Sequence, residues 1–372
     1  MDLHSLLIEC AHQEGFPLAG ALDLDLALAS PEFQQQISHY DQWIEAGYSG
    51  AMEYLVRGRD RRANPRILFP EAESILCVAI PYPRTPAGAK AQNQGPRYAR
   101  YLQGPDYHAD ISEKLEKAMK AAQSKWTNPD ENRSLQWKVC VDTSAVLERT
   151  WAALAGLGWI GKNTLLIHPK LGSYLFLAEV LINQKTGRGP TPLPSYCGHC
   201  TRCLDSCPTQ AFEAPRMLNS KQCISYLTLE KRGELPIGEK NKKAIGPWIA
   251  GCDICQEVCP FNIKPSREES QDLQSLDNVT LLSSWSALLS ESVDDYKKRV
   301  KNSAMKRIKP AQFSRNLAIT LTNHLLDSKI KEDLTPLAPL ILRRFEIETD
   351  EVARLEWKKC LESFDAQVMH YS

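Results

Sequence analysis

The sequence predicts an α+β chain in three parts, and three observations predict it. Over the first 185 residues, short apolar strand runs alternate with helical stretches. Between residues 197 and 259 lie eight of the twelve cysteines. From about residue 276 the apolar pattern is helical throughout. The expected divisions are therefore 1–185, 186–275 and 276–372, and a chain of 372 residues has room for two or three domains.

Each element follows from its pattern. Leu3, Leu6, Leu7, Cys10 and Ala11 recur at helical spacing, so an amphipathic helix opens the chain. Ile75 to Ile80 is a buried-strand run, stopped by Pro81 and Pro83. Residues 83–97, with three prolines and two glycines, read as a long surface loop. Asp110 to Ala122 predicts a helix, residues 128–130 a polar break, and Lys138 to Val141 a strand. Ser144 to Ala155 has helical spacing, and Leu175 to Ile182 is a strand with Glu179 interrupting its apolar run. Together these give a mixed sheet packed with helices. Lys185 to Tyr196 is a Gly/Pro-rich linker. In the last part Phe313, Leu317, Leu321 and Leu325 repeat every four residues, and helical stretches cover 334–345 and 350–364, in the manner of stacked helical repeats.

Composition narrows the function. Lys plus Arg and Asp plus Glu each total 45, which excludes a generally basic nucleic-acid coat protein and leaves a local basic face open. Hydrophobic content of 43% with 24% charge excludes wholesale disorder. No run approaches the roughly 18 apolar residues of a membrane span. The first ten residues carry Asp2 and Glu9 and no basic leader, so a cytoplasmic location without membrane contact is expected. Cysteines there are not disulfide staples. Cys10, Cys77, Cys140 and Cys360 are scattered and read as small buried hydrophobes.

The clustered cysteines carry chemistry. Cys197-x2-Cys200-x2-Cys203-x3-Cys207-Pro208 is the bacterial ferredoxin run that binds a 4Fe-4S cluster. Its fourth cysteine ligates the other cluster where there are two, so a second run is required. Cys252-x2-Cys255-x3-Cys259-Pro260 supplies it, with Ile249 where one cysteine is missing. Cys223 is the unassigned neighbour and takes that place. Crossed ligation then puts one cluster on Cys197, Cys200, Cys203 and Cys259 and the other on Cys207, Cys223, Cys252 and Cys255. A zinc ribbon is the alternative, but it does not need two x3-Cys-Pro endings whose last cysteines exchange. Two adjacent 4Fe-4S clusters form a one-electron wire, so a redox role is expected.

Two nucleotide motifs fail on context. Gly156 to Gly161 is a literal G-x-G-x-x-G, and Gly156 to Asn163 is nearly a phosphate loop, yet a helix precedes and a strand follows, the reverse of what either needs. A sharp turn between helix and sheet explains the glycines; Lys162 remains a candidate contact for a phosphate or carboxamide. Asp142 follows a strand and precedes a helix, where ligands often meet a sheet, with Thr143 or Ser144 available as the helix cap. His108 reads as an ordinary surface or packed imidazole, since the D-x-H it ends lacks the glycine of some cobalamin motifs and has Ile111 there.

Taken jointly, several blocks resemble the epoxyqueuosine reductase family, from about residue 50 to 325. They are MEYLVRGRDRRANPRILFPEAESIL from Met52, RYARYLQGPDYH from Arg97, VDTSAVLERTWAALAGLGWIGKNTL from Val141, GSYLFLAEVL from Gly172, the cysteine array, and IKPAQFSRN from Ile308. The resemblance implies base-off cobalamin in the N-terminal part, two 4Fe-4S clusters in a ferredoxin-like part, HEAT-like helices at the C-terminus, and reduction of epoxyqueuosine to queuosine at the tRNA wobble position, the last step of queuosine synthesis. Asp142 matches the family's proton donor, Arg57 a residue near the cobalamin, and Gly172 and Ser173 a block against the corrin. Acting near neutral pH, Asp142 requires a raised pKa through burial. The chain is expected to act as a monomer fed by an external flavodoxin-like, ferredoxin-like or reductase donor. Residues after about 345 match the family poorly.

For tRNA, three basic groups are candidates: Lys297, Lys298, Arg299, Lys301, Lys306, Arg307, Lys309 and Arg315; Lys240, Lys242 and Lys243; and Arg57, Arg59, Arg61, Arg62 and Arg66. Two other functions compete. A reductive dehalogenase-like enzyme acting on a small molecule is disfavoured by the missing twin-arginine leader, and a non-catalytic electron-transfer module would bind no corrin.

Overall fold

In the computed structural model, which describes residues 2–82, 95–127, 133–263, 281–327 and 334–371, the apolar runs of the first part form one four-stranded sheet. Its order is Leu18–Asp23, Ser74–Pro81, Leu175–Ile182, Trp137–Cys140. All three pairings are antiparallel, which corrects the expected mixed sheet. Continuous apolar runs report that both faces are buried; strand direction depends on the connections, which the pattern does not encode. The parallel pair Arg97–Tyr98 with Trp248–Ala250 lies outside this sheet. The predicted loop and polar break fall largely on residues 83–94 and 128–132, and the boundary near 275 on 264–280, all outside the described residues.

Alternation along Leu175–Ile182 sends its residues into two cores. Ala178, Val180 and Ile182 pack with helices Leu3–Gln13 and Tyr107–Lys125. Leu181, with Cys77 and Cys140, packs against Pro31–Glu45 and Glu148–Leu154. Helices thus cover both faces, and each leucine taken fully out of water contributes about 2 kcal/mol. Asp2 and Ser30 cap two of these helices by accepting from Ser5 N at 2.7 Å and Phe33 N at 3.2 Å.

The helix expected from Ser144 starts later, at Glu148, with Leu147 at its N-cap and no side-chain cap, so neither Thr143 nor Ser144 caps it. After it comes the glycine motif. Gly156 has φ +82°, and a Cβ on Gly158 would lie 2.4 Å from the Ile167 carbonyl oxygen. That close approach lets Trp159–Ile160 pair back on Leu166–Ile167 as a small hairpin, so the glycines serve a turn and no phosphate loop forms.

A further core joins Ala99 and Leu102, Leu229, Ile249 and Ala250, and the C-terminal helices through Trp285, Phe313, Leu317 and Trp357. Helix Pro310–Leu325 is bolted to the cysteine part by Asn316 Nδ2, which donates to the carbonyls of Thr228 (2.8 Å) and Ile249 (2.9 Å). Helix Glu351–Tyr371 packs on it, with Trp357 Nε1 donating to Ser314 Oγ at 2.9 Å. The residues after 345 therefore complete this core. No helix among the described residues is long and apolar enough to cross a membrane.

Candidate active site and thiol clusters

The strand Trp137–Cys140 delivers Asp142 to a cavity of about 190 Å3 lined by Tyr82, Tyr101, Tyr107, Glu148, Arg149 and Leu175, Phe176 and Leu177 as well as Asp142 itself. Asp142 sits at φ +50°, a left-handed conformation that aspartate tolerates better than bulkier residues. Its carboxylate is held from outside the loop: His108 Nε2 lies 3.1 Å from Asp142 Oδ2, and His108 Nδ1 lies 2.5 Å from Asp106 Oδ1. Asp106 in turn pairs with Lys306. Burial opposes ionisation of Asp106, but the hydrogen bonds from Lys306 and His108 win and hold it at about 2. An ionised Asp106 accepts from His108 Nδ1–H, which turns Nε2 toward the Asp142 carboxyl. His108 is therefore part of the site, which corrects its reading as an ordinary imidazole.

The burial expected of Asp142 is absent: its side chain is 45% exposed. Burial acts instead on Glu148, whose Oε1 accepts the Asp142 backbone N–H at 2.8 Å. Desolvation, reinforced by the Asp142 carboxylate, pushes Glu148 up to about 7. Behind it, Glu179 is fully buried in the central strand, in register with Cys77 on one side and Cys140 on the other. Both its carboxyl oxygens lack a hydrogen-bond partner among the described residues, and burial drives its pKa far up, so it is a neutral acid inside the sheet.

The residues expected to touch cobalamin are placed as follows. Arg57 is exposed, pairs with Glu53 at 3.7 Å, and is not among the cavity's lining. Lys162 Nζ donates to the Gly198 carbonyl at 2.7 Å, in the first cysteine run. Gly172, at φ +69°, bridges to His168. Ser173 N donates to Asn262 Oδ1 at 2.8 Å and its Oγ to Gln256 Oε1 at 3.0 Å, both beside the second cysteine run. Lys162 and Ser173 thus dock the sheet part onto the cysteine part. Next to Ser173, Tyr174 is buried with its hydroxyl unpartnered among the described residues, its ring edge-on to Tyr82 at 5.6 Å and under the Arg100 guanidinium at 4.6 Å. An orphaned hydroxyl and an aromatic and aliphatic wall suit a large, flat, largely apolar ligand with polar edges. The cavity itself accommodates a small ring, not a corrin.

The eight cysteines fall into two neighbourhoods. The thiols acting on Cys203 are Cys197, Cys259 and Cys200, and those acting on Cys259 are Cys197 and Cys200. Cys223 is acted on by Cys207, and Cys252 by Cys223 and Cys207. Cys255 joins Cys252 and Cys223 and also touches the first group through Cys203. Burial raises the protonated Cys203 thiol to about 11, a cost that metal binding reverses by displacing the proton. A single tetrahedral zinc draws its sulfurs to about 2.3 Å from one centre. A 4Fe-4S cubane instead takes each of its four thiolates at a separate iron. Trp159 Nε1 donates to Cys197 Sγ at 3.4 Å and Ala211 N to Cys207 Sγ at 3.3 Å, bonds that stabilise charge on sulfur.

The basic groups are less bare than their sequence suggests. Arg315 is buried and donates to the carbonyls of Leu227 and Lys231, so it belongs to the core and not to an RNA face. Arg62 and Lys242 are also buried, the latter paired with Glu356 at 2.7 Å. Lys297, Lys298 and Arg299 pair with Asp294, Asp295 and Glu291 at 3.3, 3.4 and 2.6 Å, and Arg307 pairs with Glu230.

Comparison with known proteins places this arrangement. Residues 62–143 match the profile of epoxyqueuosine reductase QueG, and residues 196–262 match a 4Fe-4S double cluster binding domain. An epoxyqueuosine reductase of Prochlorococcus marinus is 38% identical over 320 residues, covering 85% of this chain and 96% of that one. One from Pseudomonas aeruginosa is 34% identical, covering 83% and 82%. Among solved structures, an epoxyqueuosine reductase with an epoxyqueuosine-modified tRNA stem loop superposes with a TM-score of 0.71 at 27% identity over 98% of this chain and 99% of that one. A Bacillus subtilis epoxyqueuosine reductase, seen with its catalytic aspartate loop swung out of the active site, gives 0.71 at 27% over 97% and 98%. The chain belongs to the epoxyqueuosine reductase family.

Proposed function

We propose that this chain reduces epoxyqueuosine to queuosine in tRNA, with Asp142 giving a proton to the departing oxygen. The observation that carries this reading is an aspartate fixed at a small cavity by a Lys306–Asp106–His108 chain, in a fold whose eight clustered cysteines lie within a 4Fe-4S double cluster binding domain. Removing the epoxide oxygen to leave an alkene takes two electrons and two protons and releases water. Base-off cobalamin would supply the low-valent centre, fed one electron at a time by an external donor through two 4Fe-4S clusters. In this proposal the ligand sets are Cys197, Cys200, Cys203, Cys259 and Cys207, Cys223, Cys252, Cys255. The three parts are then a catalytic part to about 185, a ferredoxin-like part to about 275 and a HEAT-like tail, in a cytoplasmic monomer.

The protein's own residues orient and protonate. His108 keeps the Asp142 carboxyl aimed at the cavity and shares its proton, with Asp106 and Lys306 fixing the imidazole. General acid help of this kind is worth about 10²- to 10⁴-fold. His108→Gln keeps one hydrogen bond and removes the shared proton. Turnover is expected to fall about tenfold with a displaced pH profile and unchanged cluster spectra. An unaltered profile removes His108 from the relay.

Binding to tRNA is expected to weaken as salt rises. Reversing the charges of Lys297, Lys298 and Arg299 is expected to lower the affinity without touching cluster absorbance; unchanged affinity excludes that stretch. The activity itself is tested by incubating reduced, cofactor-loaded protein with tRNA bearing epoxyqueuosine and digesting the tRNA to nucleosides. Queuosine is the expected product, and its absence refutes the proposal.

A further inference from the structure

Two protons must reach one oxygen in this reaction, and Asp142 carries one. We propose that Glu148 delivers the second, so that the cavity holds one acid for each carbon–oxygen bond broken. The inference rests on the functional reading above and deepens it.

Position supports it first. Asp142 and Glu148 line the same cavity, while His108, the other proton carrier nearby, does not. The 2.8 Å bond from Asp142 N to Glu148 Oε1 locks the two acids into one unit. Glu148 is faced by Asp142 from the loop, by His108 and Tyr107 from the Tyr107–Lys125 helix, and by Cys140 and Glu179 from the sheet. Arg149, its neighbour on the same helix, turns its guanidinium to the Thr164 carbonyl at 2.7 Å. Desolvation keeps Glu148 protonated up to about 7, where an ordinary glutamate has lost its proton, and the charge Asp142 acquires on giving up its proton holds that of Glu148 in place for the second transfer.

The step balances. The Asp142 carboxyl protonates the epoxide oxygen as the first C–O bond breaks, leaving a hydroxyl on the adjacent carbon. The Glu148 carboxyl protonates that hydroxyl as the second C–O bond breaks, the alkene forms and water leaves. The two electrons come from the one-electron donor, and both acids end as carboxylates. Asp142, being half exposed, recovers its proton from solvent.

Glu148→Gln tests this, because the amide oxygen still accepts the Asp142 N–H while the acid is gone. In single turnovers on an epoxyqueuosine stem loop, the wild-type rate is expected to fall as pH rises through about 7. The Gln variant is expected to be at least about tenfold slower and to lack that limb, with Glu148→Asp recovering part of the rate. A second readout needs neither cofactor nor turnover. The folded pKa lies above the ordinary 4.5, so folding holds a proton the unfolded chain has lost, and stability falls as pH rises from about 4.5 through about 7. The melting temperature of Glu148→Gln minus that of wild type is therefore expected to rise across that window. A Gln variant with the wild-type rate, a slow variant that keeps the limb, or a melting difference flat with pH each overturns the inference. Failure of the wild type to turn over overturns the functional reading instead.

Discussion

Asp142→Asn is expected to cost about 10²- to 10⁴-fold in turnover while leaving both clusters and the bound corrin intact. Asparagine has nearly the shape of aspartate, and it tolerates the φ of +50° found there. It still reaches His108 Nε2 across the 3.1 Å contact, so what the substitution deletes is the transferable proton. Since Asp142 is 45% exposed and lies outside the apolar cores, the folded state should be little affected. Turnover on modified tRNA, measured beside cluster absorbance and cobalt content, checks it. Full activity would remove Asp142 from the chemistry.

Cys223→Ser is expected to halve the iron and abolish turnover, although Cys223 belongs to neither CxxC run. It lies between Cys207 and Cys252 in their electrostatic neighbourhood, at the N-terminus of helix Ile224–Leu229. Serine keeps the volume and offers a far weaker ligand than thiolate, so three sulfurs are left to hold a cubane that takes four. The electron path is then cut while Asp142, His108 and Glu148 stay in place. Cys360→Ala is the control: Cys360 is fully buried in the helical core, and its loss should cost packing alone and leave the iron unchanged. Iron and acid-labile sulfide per chain are the measurement. Two full clusters in Cys223→Ser would return the fourth ligand to some other residue.

What the sequence reveals and what it conceals have physical causes. Leu175–Ile182 and Pro310–Leu325 are legible because burial writes periodicity into the chain, and the nearness of Cys223 to Cys207 and Cys252 is legible because the second cysteine run lacks one member. Asp142 stands out by following a strand. The antiparallel direction of the sheet leaves no local mark, since a strand buried on both faces looks the same whichever way its neighbour runs. His108 and Glu148 are concealed because their partners, Asp106 apart, come from other elements: 34 residues separate His108 from Asp142. The signal that could have found them is the density of ionisable groups in the DYH and LER segments of blocks already singled out. Arg315 reads as a surface cation because pattern does not show the backbone carbonyls that await its guanidinium. Glu179 looks like an interruption in a strand, and only the packed sheet shows it as a buried acid between two thiols.

The most direct test is the metal and corrin content of the chain isolated and reconstituted without oxygen. Iron and sulfide for two cubanes, together with one corrin per chain, are predicted. Zinc in place of iron, or a chain that takes up no corrin, would contradict the account.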